Sequence, residues 1–135
     1  MPLPAHTIYL IGGEDDESGI ITGMEVGEDC ELTFSYRNKA ISAKSSDYFK
    51  AFQEIRTTLG KESLIPFCYG ASLNVYPSSM ARSMSRGLKA YKFSKGKHVS
   101  SSDLVDIFAD GPDIIPAPVE TQYAFYAEWA ASPRA

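Results

Sequence analysis

The sequence predicts a single α+β domain with a mainly antiparallel sheet, one long central helix and a C-terminal aromatic helix. Three observations predict this fold. Apolar and polar residues alternate with period two over residues 30–36. Apolar residues recur at helical spacing over residues 48–59. An aromatic-rich segment follows Pro118, and proline favours the first turn of a helix. The chain has 135 residues, a length that suits one domain covering residues 1–135.

The first third of the chain predicts an antiparallel meander. Residues 7–11 form a short β-rich run that two glycines close, and residues 19–26 are a second candidate strand. The alternating run at residues 30–36 is the third. A turn at residues 37–39 leads into a fourth short strand at residues 40–42.

The central helix has the clearest pattern in the sequence. Ser45 or Ser46 is predicted to cap it, and Asp47 suits the positive end of the helix dipole. Gly60 is predicted to end it in the left-handed conformation. Its apolar stripe consists of Tyr48, Phe52, Ile55 and Leu59, with Phe49 beside them.

The second half of the chain alternates short strands with short helices. We expect strands at residues 64–70 and 88–93, a short helix or a loop at residues 78–85, and a short helix at residues 103–108. Pro118 then opens the final helix at its first helical position. The predicted stripe of that helix is Val119, Tyr123, Tyr126 and Ala130.

The cysteines and histidines predict neither a metal site nor a cofactor. Cys30 and Cys68 lie in apolar-alternating segments without a CxxC spacing, and His6 and His98 have no ligand-like spacing to them. Both thiols are therefore expected to be reduced and buried. The other residues expected in the core are Phe34, Phe49, Phe52, Ile55, Phe67, Leu88, Tyr91, Leu104, Phe108 and Tyr126.

The charges are strongly segregated along the chain. Residues 1–36 carry eight carboxylates and no lysine or arginine, residues 63–102 carry six cations and no acid, and residues 103–133 carry six acids and no base. Such blocks create distinct surface fields that steer charged partners. The net charge of -4 and the pI near 5.1 argue against a nucleic-acid binder. The alternative for the basic segment is intramolecular charge balance with the acidic ends.

The acidic run that follows Gly12 and Gly13 has several alternative interpretations. It lacks the lysine of a phosphate-binding loop, and its acids would repel phosphate. It also lacks the alternating ligands of a calcium loop. A solvated hairpin tip and a surface for partner recognition remain. Neither histidine is placed beside a nucleophile and a carboxylate, so we expect no enzymatic activity.

The second half of the chain resembles small bacterial immunity proteins found beside polymorphic toxins, including Rhs-type and type VI secretion effectors. The resemblance covers about half of the chain and is carried by LIPFCYGAS (64–72), YP (76–77), MA (80–81), GLKAYK (87–92), DLVDIF (103–108) and the closing aromatic helix. It implies a cytoplasmic protein that binds one cognate toxin domain, usually by covering the active site of that toxin.

The sequence thus predicts a protein that binds another protein, with no nucleic acid, membrane, metal or cofactor as its partner. No run of 18 apolar residues occurs, so no membrane-spanning helix is expected. The first alternative is a structural or self-assembling module in which the acidic ends of one copy meet the basic middle of another, and an intracellular ligand-binding domain is the second. A homodimer is compatible with the first two functions. The candidate partner-binding residues are Glu14, Asp15, Asp16, Glu17, Glu28 and Asp29, with Asp110 and Asp113 as a second patch.

Overall fold

A computed structural model describes residues 2–133 and shows an α+β fold, which confirms the predicted fold class. The strands are β1 His6–Ile11, β2 Ser18–Val26, β3 Asp29–Tyr36, β4 Lys39–Ser45, β5 Ile65–Pro66, β6 Val75–Tyr76, β7 Lys89–Lys92 and β8 Leu104–Asp106. The α-helices are α1 Tyr48–Gly60, α2 Ser79–Ser85 and α3 Val119–Ala131. Single 3-10 turns occupy Tyr69–Ala71 and Ser101–Asp103.

Strands β1 to β4 form the predicted meander. With β5 they make a five-stranded antiparallel sheet in the order β4-β3-β2-β1-β5. Phe34 on β3 lies opposite Ile21 on β2 and Ile41 on β4. Successive residues of β3 point to opposite faces, so Cys30 and Phe34 are fully buried while Ser35 is exposed. The alternation in the sequence therefore identified the inner face correctly.

Helix α1 packs on the inner face of this sheet, against β3 and β4. Its predicted stripe is confirmed, since Phe49, Phe52, Ile55 and Leu59 are all fully buried. The predicted N-cap was wrong, and the helix ends at Gly60 as predicted but without the left-handed conformation. Asp47, not a serine, is the N-cap, and its carboxylate accepts a hydrogen bond from the Lys50 backbone N–H at 2.8 Å.

The C-terminal end of α1 differs from the prediction because the left-handed residue comes three positions later. Gly60 has a negative φ, and Ser63 adopts φ 61° instead. The chain continues as a tight turn after Gly60, in which the Leu64 N–H donates to the Leu59 carbonyl at 3.0 Å. This turn lets Leu64 enter the core directly before β5.

A second, three-stranded sheet has the order β6-β7-β8. The strand predicted at residues 64–70 shortens to β5, because a 3-10 turn follows Cys68. The helix predicted at residues 103–108 is wrong, because Leu104 pairs with Tyr91 in the ladder between β7 and β8. An isolated six-residue helix is only marginally stable. The β7–β8 ladder instead provides hydrogen-bond partners for the backbone N–H and C=O groups of this segment. Leu104 is consequently exposed and not in the core.

The outcome for the remaining predicted core residues is mixed. Phe108 is buried, while Phe67, Leu88 and Tyr126 are half-buried and pack against the core. Tyr91 is also only half-buried. Strands β6 to β8 form a small sheet that leaves one side partly open to solvent, so the alternation in this segment predicts burial less well than it does in β3.

Helix α3 is present, but its predicted stripe was wrong. Tyr123 is exposed and Gln122 is fully buried. Tyr126 stacks on Tyr76 with ring centroids 4.3 Å apart, and Phe93 lies 5.0 Å from Trp129. The packed face of α3 therefore includes a buried polar residue, Gln122. A search for periodic apolar residues cannot detect such a position. Pro118 is the N-cap and not the first helical residue.

Gln122 reaches a buried arginine on α1. Arg56, 4% exposed, donates to the Gln122 Oε1 atom at 2.8 Å, to the Gly70 carbonyl at 3.0 Å and to the Ala117 carbonyl at 2.9 Å. The Gln122 Nε2 atom lies 3.0 Å from the same Gly70 carbonyl and 2.9 Å from two further backbone acceptors, the carbonyls of Ser72 and Val75. This polar network joins α1, α3 and the segment before β6.

Candidate functional site

The fold neutralises most of the basic middle segment internally. Five of its six cations form ion pairs: Arg82–Asp47 at 2.7 Å, Arg86–Glu25 at 3.6 Å, Lys89–Asp106 at 2.7 Å, Lys92–Asp113 at 3.0 Å and Lys95–Glu128 at 2.8 Å. Four of the five carboxylates come from the two acidic ends of the chain. The charge blocks of the sequence therefore meet largely within one molecule, which supports intramolecular charge balance for the basic segment.

Two of the candidate acids are also paired within the chain, Glu17 with Arg37 and Asp113 with Lys92. Glu17 accepts from the Arg37 Nη2 atom at 2.9 Å and from the Glu14 N–H at 3.0 Å, and the Arg37 hydrogen bond lowers its pKa. Asp113 accepts from the Tyr69 hydroxyl at 2.6 Å, then from Lys92, and both bonds lower its pKa. These two carboxylates have structural partners already.

Four other candidate acids are exposed and carry no such compensation. Glu14, Asp15 and Asp16 form the turn between β1 and β2, and Asp110 follows β8. Within residues 2–133, no lysine or arginine nitrogen lies within 4.0 Å of these carboxylates. Gly12 at φ 96° begins the turn, and a Cβ atom there would lie 2.3 Å from the Ser63 carbonyl oxygen. Only glycine therefore fits at this position.

The structure brings Asp16 and Asp110 to the same groove. This groove of about 310 Å³ is lined by Tyr9, Leu10, Ile11, Asp16, Glu17, Phe67 and Asp110. The Phe67 N–H donates to the Tyr9 carbonyl at 2.7 Å, which holds the two aromatic residues together across the sheet edge. The two acidic patches proposed from the sequence thus meet here, around an apolar floor.

Glu28 and Asp29 do not join the groove. They lie at the β2–β3 turn, at the far end of strand β2 from the β1–β2 turn. At about 3.3 Å per residue, the nine residues of β2 separate the two turns by roughly 26 Å. Arg86 donates to the Glu28 backbone carbonyl at 2.7 Å. These two acids therefore belong to a separate surface.

Next to the groove, the outer face of the sheet is open and partly apolar. Tyr9, Ile11, Ile20 and Met24 are 51%, 45%, 47% and 45% exposed. Glu31 and Lys44 lie opposite each other at the β2–β3 end of this face, next to Met24. The other neighbours of the four apolar residues are small and uncharged: Thr7, Thr22, Thr33, Ser35, Ala40 and Ser42. We name the four apolar and six small residues the open sheet face. The opposite face carries α1.

Sequence analysis did not identify the open sheet face as a site. The signal was present, because Tyr9, Ile11, Ile20 and Met24 occupy the outward phase of their strands, where a solvated face usually has polar residues. Strand periodicity alone does not reveal whether another helix or sheet packs over these outward-facing residues. The tertiary structure shows that none of the described elements does.

The described residues contain no cluster of three or more His, Cys, Asp or Glu side chains that could hold a metal ion. His6 packs against Phe108 with ring centroids 5.8 Å apart, and His98 is exposed in a loop. None of the described helices has the length and apolar character needed to cross a bilayer.

The geometry of the molecule thus presents one composite surface, made of the uncompensated acidic turn, the Tyr9–Phe67 groove with Asp110, and the open sheet face. In comparisons with known proteins, the chain matches no protein-family model and no curated protein sequence.

Proposed function

We propose that this protein is a bacterial immunity protein that acts in the cytoplasm by binding a cognate toxin domain and covering its active site. The observation that supports it best is that Asp16 and Asp110, neither with a cationic partner in residues 2–133, line the same mainly apolar groove. The resemblance of the second half of the chain to such immunity proteins motivates this choice of partner.

Charge explains why the partner would be cationic. Clustered like charges repel one another, so exposed acids with no internal partner raise the free energy of the isolated fold. A basic surface on a partner relieves this repulsion and accelerates encounter. The same carboxylates repel phosphate, so we propose a protein partner and not a nucleic acid.

The open sheet face explains how such a complex would persist. Exposed charges act mainly on association, whereas desolvated aromatic and aliphatic side chains control dissociation. Tyr9 belongs to both the groove and the open sheet face, so one partner could contact both at once. We propose that binding is stoichiometric and requires no catalytic step by this protein.

Self-assembly is the second candidate, and the ion pairs weaken it. Acidic ends of one copy would have to meet a basic middle segment on another, but five of the six middle cations already bind carboxylates of their own chain. The middle segment of a second copy therefore offers little free positive charge to the groove. A homodimer through the open sheet face is still compatible with these contacts.

The test compares two pairs of neutralising substitutions. Asp16→Asn with Asp110→Asn removes the groove charges, and Glu28→Gln with Asp29→Asn removes the same charge at the far end of β2. Binding kinetics would be measured with the toxin domain encoded beside the gene of this protein. We expect association at low salt to slow by about three- to tenfold in the groove variant only, and to lose salt sensitivity.

Three results would count against the proposal. Failure of the wild-type protein to bind and inhibit the neighbouring toxin domain would remove the proposed function. Kinetics of the groove variant that equal wild type at every salt concentration would exclude the groove. A larger effect of the Glu28 and Asp29 substitutions would place the interface at the opposite end of the sheet.

A further inference from the structure

A second cavity lies between the C-terminal turn of α1, strand β5 and the start of α3. Its volume is about 400 Å³, within the range of small-molecule sites. Its walls are mainly apolar, from Leu64, Ile65, Pro66, Ala117, Pro118 and Val119. It shares no lining residue with the acidic groove.

Arg56 forms part of the wall of this cavity and has no ion pair with a carboxylate in residues 2–133. Its hydrogen-bond acceptors are two backbone carbonyls and the amide oxygen of Gln122, all neutral. Among residues 2–133, no carboxylate oxygen lies within 4.0 Å of its guanidinium. Burial lowers the pKa of Arg56 to about 10, so it remains protonated at neutral pH.

The guanidinium has hydrogen-bonding capacity to spare. Its three hydrogen bonds use three of the five N–H groups that an arginine offers, which leaves two without a partner in the described part of the chain. A buried cation with unused donors at the wall of a cavity favours an anion, because a carboxylate can accept two parallel N–H bonds.

The rim of the cavity adds to the positive potential. Lys61 lines it and has no carboxylate within 4.0 Å in residues 2–133. Glu120, also on the rim, is its only acid, so two cations face one carboxylate. Helix α3 begins at this wall, and Pro118 gives it no side-chain cap. The helix start therefore supports an anion but does not by itself make the site.

We propose that this cavity binds a small amphiphilic carboxylate, with the anionic head towards Arg56 and Lys61 and the apolar tail along Leu64, Ile65 and Val119. Charge complementarity selects the head, and the apolar walls select the tail. A fully polar anion would leave those walls without contact, and a neutral lipid would leave the charge of Arg56 unpaired.

The test titrates the full-length protein with butyrate, hexanoate and octanoate, and follows binding by calorimetry and amide chemical shifts. The neutral control is 1-hexanol, which matches hexanoate in chain length. We expect saturable binding of hexanoate or octanoate, about tenfold or more tighter than 1-hexanol. The amide shifts should centre on residues 60–66 and 117–120.

Two variants locate the ligand without disturbing the Arg56 network. Gly60 lines the cavity and a Cβ atom there meets no atom within 4 Å, so Gly60→Leu fits without a clash and adds apolar bulk at the cavity wall. Lys61→Gln removes the rim charge, and Lys50→Gln, at the other end of α1, is its matched control. We expect about tenfold or greater loss for Gly60→Leu, up to about fivefold loss for Lys61→Gln and no change for Lys50→Gln.

Three outcomes would overturn this site. One is the absence of saturable binding by all three carboxylates. Another is equal binding of hexanoate and 1-hexanol, which would reduce the cavity to a nonspecific apolar groove. The third is unchanged binding in Gly60→Leu. Each of these results leaves the toxin-binding proposal intact, because that proposal uses different residues.

Discussion

At the scale of single residues, the network around Glu62 shows how one carboxylate organises several neighbours. It accepts hydrogen bonds from the Tyr36 hydroxyl and from Lys39, the latter at 2.9 Å, and lies 3.5 Å from Arg37. The Tyr36 bond, followed by the Lys39 bond, lowers the pKa of Glu62. Burial, followed by the same carboxylate, raises the pKa of Tyr36. The β3–β4 turn is thereby tied to the residues after α1.

This network predicts a dependence of stability on pH. The folded pKa of Glu62 lies below 4.5, so its stabilising effect is complete above pH 4.5 and is lost as pH falls through the folded pKa. We expect the difference in urea midpoint between wild type and Glu62→Gln to shrink as pH falls below 4.5 and through the folded pKa of Glu62. Glu54→Gln, on the exposed side of α1, is the control and should show little difference. A difference that stays constant with pH would contradict the assignment.

Substitution of Gln122 should lower the free energy of unfolding strongly, because this buried side chain bonds to several polar groups. Gln122→Ala would remove one acceptor of Arg56 and the amide donor of the Ser72 and Val75 carbonyls, while the Gly70 carbonyl would keep Arg56 as its donor. Unsatisfied buried polar groups are costly, so we expect a loss of roughly 2–4 kcal/mol in the free energy of unfolding. Urea denaturation would measure it, with the exposed neighbour Thr121→Ala as control. A loss as small as that of the control would contradict the structural role of this network.

At the scale of elements, the five-stranded sheet has two faces of different character. The inner face packs on α1 and contains the large core side chains of β3. The outer face combines exposed apolar side chains with small hydroxyl residues. Adjacent residues Ile20 and Ile21 on β2 sample these two environments, because successive strand residues point to opposite faces.

This contrast predicts opposite outcomes for two neighbouring substitutions. Ile21 is 1% exposed, so Ile21→Ala should cost about 2–5 kcal/mol in the free energy of unfolding. Ile20→Ala should change stability by about 0.5 kcal/mol or less. Thermal and urea unfolding would measure both. If Ile20→Ala were as destabilising as Ile21→Ala, the outer face would be covered and could not serve as a free binding surface.

At the scale of the whole molecule, charge is balanced unevenly. The basic middle segment is largely neutralised by ion pairs, while the groove acids Asp16 and Asp110 have no lysine or arginine nitrogen within 4.0 Å in residues 2–133. Exposed single ion pairs stabilise a fold only slightly, so their main effect here is on the shape of the surface field. The molecule consequently presents its negative potential at the β1–β2 turn and at Asp110.

Asp110 and Asp113 allow the effect of an unpaired surface charge to be compared with that of a paired one. Asp110→Asn removes a repulsive charge and should raise the urea midpoint slightly at low ionic strength, an effect that added salt abolishes. Asp113→Asn weakens the bonds from Tyr69 and Lys92 and should lower the midpoint. Equal effects of the two substitutions would show that Asp110 has a structural partner after all.

The sequence alone sufficed for the elements whose signals are local. Period-two alternation identified the inner face of β3, and the spacing of Phe52, Ile55 and Leu59 identified α1, because both patterns arise between residues close together in the chain. Signals that depend on distant partners failed. The short helix expected at residues 103–108 became β8 because β7 supplies its hydrogen-bond partners.

By itself, the sequence determined an α+β fold, the strands β1 to β4 and the segregation of charge along the chain. Only the tertiary structure decided which charges neutralise one another, that Asp16 and Asp110 meet at one groove, and that Gln122 and Arg56 bind each other. The physical reason is the distance along the chain over which each interaction acts. Periodicity and capping act over a few residues, whereas charge pairing and burial depend on which distant segments the topology places side by side.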